Sequence, residues 1–174
     1  MSESGDDDGS FQSADLLNEL FGYCKYEDIS EEGIREIIKR FGNQRVGDYS
    51  FFRAALFNET VTEEIIQCLL EYFPAAANDS AGGKMPLHYA LTHCKNVSTG
   101  IIQLLIDAAP GSVRRTDSSR NLPLHILCDN NSLDDSTASE ITQLLLEEYP
   151  ESIQQCARMR TLPIHSAEIG RAHV

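Results

Sequence analysis

Met85-Pro86-Leu87-His88 returns as Leu122-Pro123-Leu124-His125, and once more as Leu162-Pro163-Ile164-His165. The prolines stand 37 and 40 residues apart. A tetrapeptide recurring at that interval marks a stacked repeat, in which each unit has an apolar face that only a neighbour can cover.

Proline is favoured at the first position of a helix, where its missing N–H would have no partner anyway. Each tetrapeptide therefore predicts a helix start, with Leu87 and Ala90, or Leu124 and Leu127, turned inward. An earlier counterpart, Ser50-Phe51-Phe52-Arg53-Ala54, keeps Phe51 and Ala54 but lacks Pro and His.

A second helix follows in each unit, read from apolar residues at helical spacing. Ile65, Ile66, Leu69, Leu70 and Phe73 precede Pro74. Ile101, Ile102, Leu104, Leu105 and Ala109 precede Pro110, and Ile141, Leu144, Leu145 and Tyr149 precede Pro150. Upstream, Leu16, Leu17, Leu20, Phe21 and Cys24 predict a helix from about Ala14, and Ile34, Ile37, Ile38 and Phe41 a second one after Ser30. Ser30, Thr62 and Ser98 are expected N-caps, whose hydroxyl oxygens accept from a first-turn N–H. Ile29 with Ile34, Val61 with Ile66 and Val97 with Ile102 have the spacing of a hydrophobic staple, and Thr137 with Glu140 that of a capping box.

Between units lie 11 or 12 residues, at 75–85, 111–122 and 151–162. They contain turn formers, Asn78-Asp79-Ser80-Ala81-Gly82-Gly83 and Asp117-Ser118-Ser119-Arg120-Asn121, and predict protruding loops or short hairpins. The turn over 129–136 is about three residues longer than its counterpart and reads as a neutral insertion. The expected organisation is a disordered acidic tail (1–13), a divergent helix pair acting as an N-terminal cap (14–48), units at 49–84, 85–121 and 122–161, and a partial unit at 162–167. Residues 168–174 are read as a non-native tail, because Ile169 to Val174 match a translated sequencing-library adapter. The natural chain is accordingly expected to be longer.

A helix, a tight turn, a second helix and a finger-like loop, with Pro-Leu-His opening the first helix, resembles the ankyrin repeat over about residues 49–167. The resemblance implies an all-α helix-turn-helix solenoid with protruding inter-repeat loops, a structural part for the histidines, and protein binding as the function. The sequence departs from the family where Thr would precede Pro, since Met85, Leu122 and Leu162 stand there, so the family's Thr–His bond is not expected. The usual Ala-Ala pair becomes Ala90-Leu91 and Leu127-Cys128. The finger Asp six residues before Pro survives as Asp117, is offset at Asp79 and is replaced by Ala157.

Bulk properties narrow the function. Net charge is -13, which opposes phosphate backbones and anionic lipid, so neither nucleic acid nor a membrane is an expected partner. No apolar run approaches the roughly 18 residues of a membrane span. Residues 1–32 hold ten acids and one base, Lys25. Five cysteines without a C-x-x-C pair point to a reducing, intracellular location, cytoplasmic or nuclear.

The chemistry-bearing side chains give little sign of catalysis. His88, His125 and His165 form a ladder with rungs a helix-packing distance of about 8–10 Å apart. Zinc needs all its ligands within about 2.0–2.3 Å of one point, so the expected role is an imidazole bonding a neighbouring loop backbone. His93-Cys94 with Cys128 suggests a thiol–imidazole pair, but no third orienting group accompanies it. Phosphate-loop, dinucleotide, zinc-protease and nucleophile-elbow motifs are absent, and no cofactor is expected.

Charge placement is more telling. Lys84, Arg114, Arg115, Arg120, Arg158 and Arg160 all fall in the inter-unit loops. Repeats set equivalent loops in a row, so these bases predict a basic stripe suited to an acidic peptide segment. Asp6-Asp7-Asp8 is a candidate internal competitor for it. With Arg53 and Tyr89 on the first helices, the stripe is the expected partner-binding surface of a non-enzymatic interaction module. A second reading is the recognition portion of a longer multi-domain protein, and a third is an enzyme with Cys94 or Cys128 as nucleophile.

Overall fold

Pro86-Leu87-His88 and Pro123-Leu124-His125 each open a helix, as expected, in the computed structural model, which describes residues 8–41 and 46–155. Pro163, Ile164 and His165, the bases Arg158 and Arg160, and the segments 1–7 and 168–174 lie outside the described residues.

The described chain is all-α. First helices of successive units are α1 (Asp8–Tyr26), α3 (Ser50–Phe57), α5 (Pro86–His93) and α7 (Pro123–Asp129). Second helices are α2 (Glu31–Phe41), α4 (Glu63–Tyr72), α6 (Thr99–Ala108) and α8 (Asp135–Glu148). The first helices pack in series, α1 on α3 on α5 on α7, and the second helices form a parallel row, α2 on α4 on α6 on α8. The core lies between the rows. Leu20, Phe51, Phe52, Ile66, Leu69, Leu87, Leu91, Ile102 and Ile141 are buried there, each contributing about 1.5–3 kcal/mol. The architecture is an ankyrin-type helical solenoid.

The residues of the expected staple pairs, Ile29, Ile34, Val61, Ile66, Val97 and Ile102, are all buried. Caps are mixed. The Ser30 hydroxyl accepts from Gly33 N–H and the Ser98 hydroxyl from Ile101 N–H, each at 3.2 Å. Thr62 makes no such bond. The start of α8 also differs from expectation. Asp134, not Thr137, is its N-cap, accepting from Thr137 N–H at 3.0 Å, because a carboxylate suits the positive end of a helix better than a hydroxyl. Helix α1 starts at Asp8, upstream of the expected Ala14, so part of the 1–13 tail is helical backbone.

Proline also does more than stop the second helices. These end at Tyr72, Ala108 and Glu148, and Pro74, Pro110 and Pro150 each open a 3-10 turn: Pro74–Asn78, Pro110–Arg114 and Pro150–Gln154. The middle residue of each turn, Ala76, Ser112 or Ser152, is buried. Only the remainder of each connection forms the finger.

The two described fingers turn by different means. In the first, Ala81 and Lys84 exchange both N–H···O=C bonds at 3.1 Å around Gly82 and Gly83, whose φ values are 59° and 77°. Paired positive φ is the two-residue hairpin geometry that glycine allows. In the second, the Asp117 carboxylate accepts from Ser119 N–H and Asn121 N–H, both at 2.8 Å, and its backbone pairs with Asn121 O at 3.0 Å. Asp79, offset in sequence, cannot do this and lies 3.9 Å from Arg53 instead.

A second ladder ties the opposite end of the units. The Asn58 amide, just after α3, donates to the carbonyls of Cys24 (3.0 Å) and Glu27 (2.9 Å) at the end of α1. The Asn96 amide, after α5, donates to the Glu59 carbonyl, and that of Asn130, after α7, to the Leu91 carbonyl at 2.6 Å. Asn58 and Asn130 thus cap carbonyls in the last turn of the preceding first helix, Cys24 and Leu91, while Asn96 bonds turn to turn. The long 129–136 turn, read from sequence as neutral, carries both Asn130 and the cap Asp134.

Candidate protein-binding surface

His88 fixes where the second finger stands. Nδ1 of His88 accepts from Met85 N–H at 3.2 Å, so that nitrogen carries no proton and Nε2 does. Nε2–H then donates to the Arg115 carbonyl of the next finger, 3.1 Å away. His125 Nδ1 likewise accepts from Leu122 N–H at 3.2 Å. A backbone N–H replaces the threonine hydroxyl of the family pattern, as the third helical residue of a capping box does for the residue before the helix. Burial holds His88 below the ordinary imidazole range, although nearby Asp117 pulls the other way. His88 is therefore a neutral strut between units.

On the exposed side of α3 and α5 lies an aromatic group. The rings of Phe57 and Tyr89 meet edge to face at 5.7 Å, and His93 meets Phe57 at 5.1 Å. The Tyr89 hydroxyl donates to the Ala81 carbonyl at 2.9 Å, which fastens the ring to the first finger. Arg53 and Lys84 lie 5.7 and 5.9 Å from the Tyr89 centroid. Arg53, Tyr89 and Lys84, separate in sequence, thus form one cluster. Phe57 was missed by sequence reasoning. It sits off the inward stripe of α3 and is 44 % exposed. An aromatic on what should be a polar helix face was the available signal.

The other bases sit elsewhere. Arg114 and Arg115, with Ser80, Gly83, Met85 and Thr116, line a groove of about 290 Å³ between the first and second fingers. Arg114 and Arg120, with Thr116, Leu122, Tyr149 and Gln155, line the next one, of about 230 Å³. The Arg114 guanidinium lies 4.7 Å from the Tyr149 centroid. Lys84 instead borders an open groove of about 460 Å³ beside α5 and α7 that also contains Asp117 and Asp129. The described bases of the expected binding surface therefore fall into two groups, Arg53 with Lys84, and the three finger arginines.

The thiols are poorly placed for chemistry. Burial pushes Cys94 up and Cys128 up to about 11, and His93 is turned to Phe57. Both thiols stay protonated near neutral pH, where a nucleophile needs thiolate. Among the described residues no three His, Cys, Asp or Glu side chains converge as metal ligands, and no helix is long and apolar enough to cross a membrane.

The chain is similar to Ankyrin repeat protein B18 of vaccinia virus (strain Copenhagen), at 25% identity over 105 residues, 59% of this chain and 18% of that protein. The same identity and coverage hold for Ankyrin repeat protein B18 of strain Ankara and Ankyrin repeat protein B19 of strain Western Reserve. No family model matches the chain. The relatives' names agree with the two-row stack of helix pairs. The chain spans about a fifth of the length of the curated relatives it matches.

Proposed function

We propose that this chain is a protein-interaction module whose partner lands on the exposed side of α3 and α5. Phe57 carries the reading. A phenylalanine left 44 % exposed against a tyrosine that an arginine flanks has the composition of a binding hot spot, where aromatic and Arg side chains supply most of the energy. Similarity to ankyrin repeat proteins supports the same class of function. Arg53 and Lys84 around Tyr89 favour an acidic partner segment. The protonated thiols argue against a cysteine enzyme. Four described cysteines are free thiols, which suits a reducing compartment inside a cell.

A display library of random peptides selected on the folded chain tests this. Selected binders are expected to weaken on Phe57→Ser and on Arg53→Ala. Binders indifferent to both substitutions would overturn the landing site.

A second reading is favoured by coverage: matching about a fifth of its relatives' length, the chain is the recognition portion of a longer protein. Sequencing the full-length transcript from the source tests it, and a stop codon directly after residue 174 refutes it.

A further inference from the structure

The open groove of about 460 Å³ is bounded by Lys84 of the first finger, Asp117 of the second, Thr92 of α5 and Asp129 of α7. Thr92 and Asp129 are equivalent positions, each six residues after the proline that opens its helix.

The fixed groups of this groove are hydrogen-bond acceptors. Asp117 is buried, 7 % exposed, and its Oδ1 already accepts from the Ser119 and Asn121 N–H groups. Its Oδ2 has one long contact, the Asn121 amide at 3.4 Å. The Thr92 hydroxyl donates to the His88 carbonyl at 2.7 Å, so only its lone pairs remain to be used. The Asn130 amide is spent on the Leu91 carbonyl. The exposed Asp129 carboxylate has no hydrogen bond or ion pair among the described residues.

Lys84, the one described base on the lining, pairs with neither carboxylate, and its ammonium lies 5.9 Å from the Tyr89 centroid instead. Acceptors therefore outnumber donors, and two carboxylates share a groove with no cation paired to either. Among the described residues no third carboxylate, thiol or imidazole joins them as a metal ligand. The matching cation is thus an organic one with several N–H donors. An arginine side chain is such a group, with five donors in a planar fork and no acceptor. The net charge of -13 attracts it over a longer range.

The groove also continues the aromatic patch. α3, α5 and α7 pack in series and end at Phe57, His93 and Asp129. Tyr89 and Thr92 lie on one helix, and Lys84 borders patch and groove alike. Along the stack, the ends of the first helices pass from aromatic to acidic.

We infer that this groove takes an arginine side chain of the partner segment, whose guanidinium donates to Asp129 and to Asp117 Oδ2. The inference rests on the reading of the chain as a protein-interaction module, and it adds a basic residue to the acidic one that Arg53 favours.

Random ten-residue peptides displayed on phage and selected on the full chain test it, the tightest binder being remade with a fluorescein label for anisotropy. Arginine is expected to be enriched over the unselected library. Replacing the binder's arginine by citrulline, a neutral isostere, should weaken binding about tenfold, the effect of one charge-assisted contact. Asp129→Asn should weaken the arginine peptide by a similar factor and leave the citrulline peptide unaffected, so that the two changes are not additive. Asp129 is exposed and unbonded, so its substitution should not lower the urea midpoint. Glu36→Gln, the same change of charge at an exposed position of α2 in the other row, should leave both peptides unaffected. Absence of arginine enrichment, additive effects of citrulline and Asp129→Asn, or an equal loss on Glu36→Gln overturns the proposal. Where those binders still weaken on Phe57→Ser, the module stands and only the groove assignment falls. Binders that couple to Asp129 but are indifferent to Phe57→Ser keep the groove and remove the landing site. A library that yields no binder overturns both.

Discussion

Replacing His88 tests the strut that joins unit to finger. His88→Ala removes a buried ring and both of its bonds, leaving the buried Met85 N–H without its acceptor. The stranded donor costs about 1–3 kcal/mol and the void adds to it, for a total of about 3–5 kcal/mol. His88→Gln is the informative control. At the third helical position Gln can still accept from Met85 N–H, as it does in a capping box, so only the link to Arg115 is lost, at about 1–2 kcal/mol. Urea unfolding followed by circular dichroism reads both from the midpoint, provided the slope is unchanged. The pH dependence adds a second signature. Burial lowers the folded-state pKa of His88, so as pH falls the unfolded chain takes up this proton first. Stability is then full above about pH 6.5 and declines as pH drops through that value toward the lower folded one. His93, also lowered by burial, contributes in the same direction. His88→Gln should therefore flatten the decline without abolishing it. A cost for Ala below about 1 kcal/mol, or equal costs for Ala and Gln, would refute the assignment.

Other substitutions probe separate features. Asn58→Ala removes the amide's bonds to the part-buried Cys24 carbonyl and the exposed Glu27 carbonyl and should lower stability by about 1–2 kcal/mol, seen as an earlier thermal midpoint. Ser112→Ala should raise stability by up to about 1 kcal/mol, because its buried hydroxyl has no partner among the described residues and Ala76 fills the equivalent place. Gly83→Ala should cost more than Gly82→Ala. Both force a side chain into positive φ, at about 1–2 kcal/mol, but only at Gly83 does the new methyl meet the next finger, 3.1 Å from Ser118 N. Burial pushes Cys24 up to about 12, so iodoacetamide at pH 7 should label it slowly in the native chain and rapidly in urea; rapid native labelling would contradict its place in the core.

The helical rows were legible because apolar spacing and proline placement act over short range. Pro86 and Pro123 mark helix starts wherever they occur, and Ile66 or Ile102 turns inward for reasons internal to its own helix. The 3-10 turns after Pro74, Pro110 and Pro150 were less legible, since proline both ends one helix and opens the next turn. The asparagine ladder was missed altogether. Asn58, Asn96 and Asn130 look like ordinary turn residues until the neighbouring unit supplies the carbonyls they bond. The candidate surface was half legible. Arg53 and Tyr89 were placed correctly on first helices, but grouping them with Lys84 and Phe57, away from the finger arginines, depends on the path of each finger. That path is set by Gly82-Gly83 in one case and by Asp117 in the other, and loop sequence alone does not convey the difference.

Within its row each helix packs on the members before and after it, and first helices also pack on second helices, so the seams between units repeat one arrangement. A copy of the segment from Met85 to Asn121 spliced in after itself would find its own surface repeated on both flanks, with an asparagine ready at each junction. The molecule can therefore lengthen by duplication, like a zip fastener gaining teeth, and every added tooth brings another groove to the row without redesign of the rest.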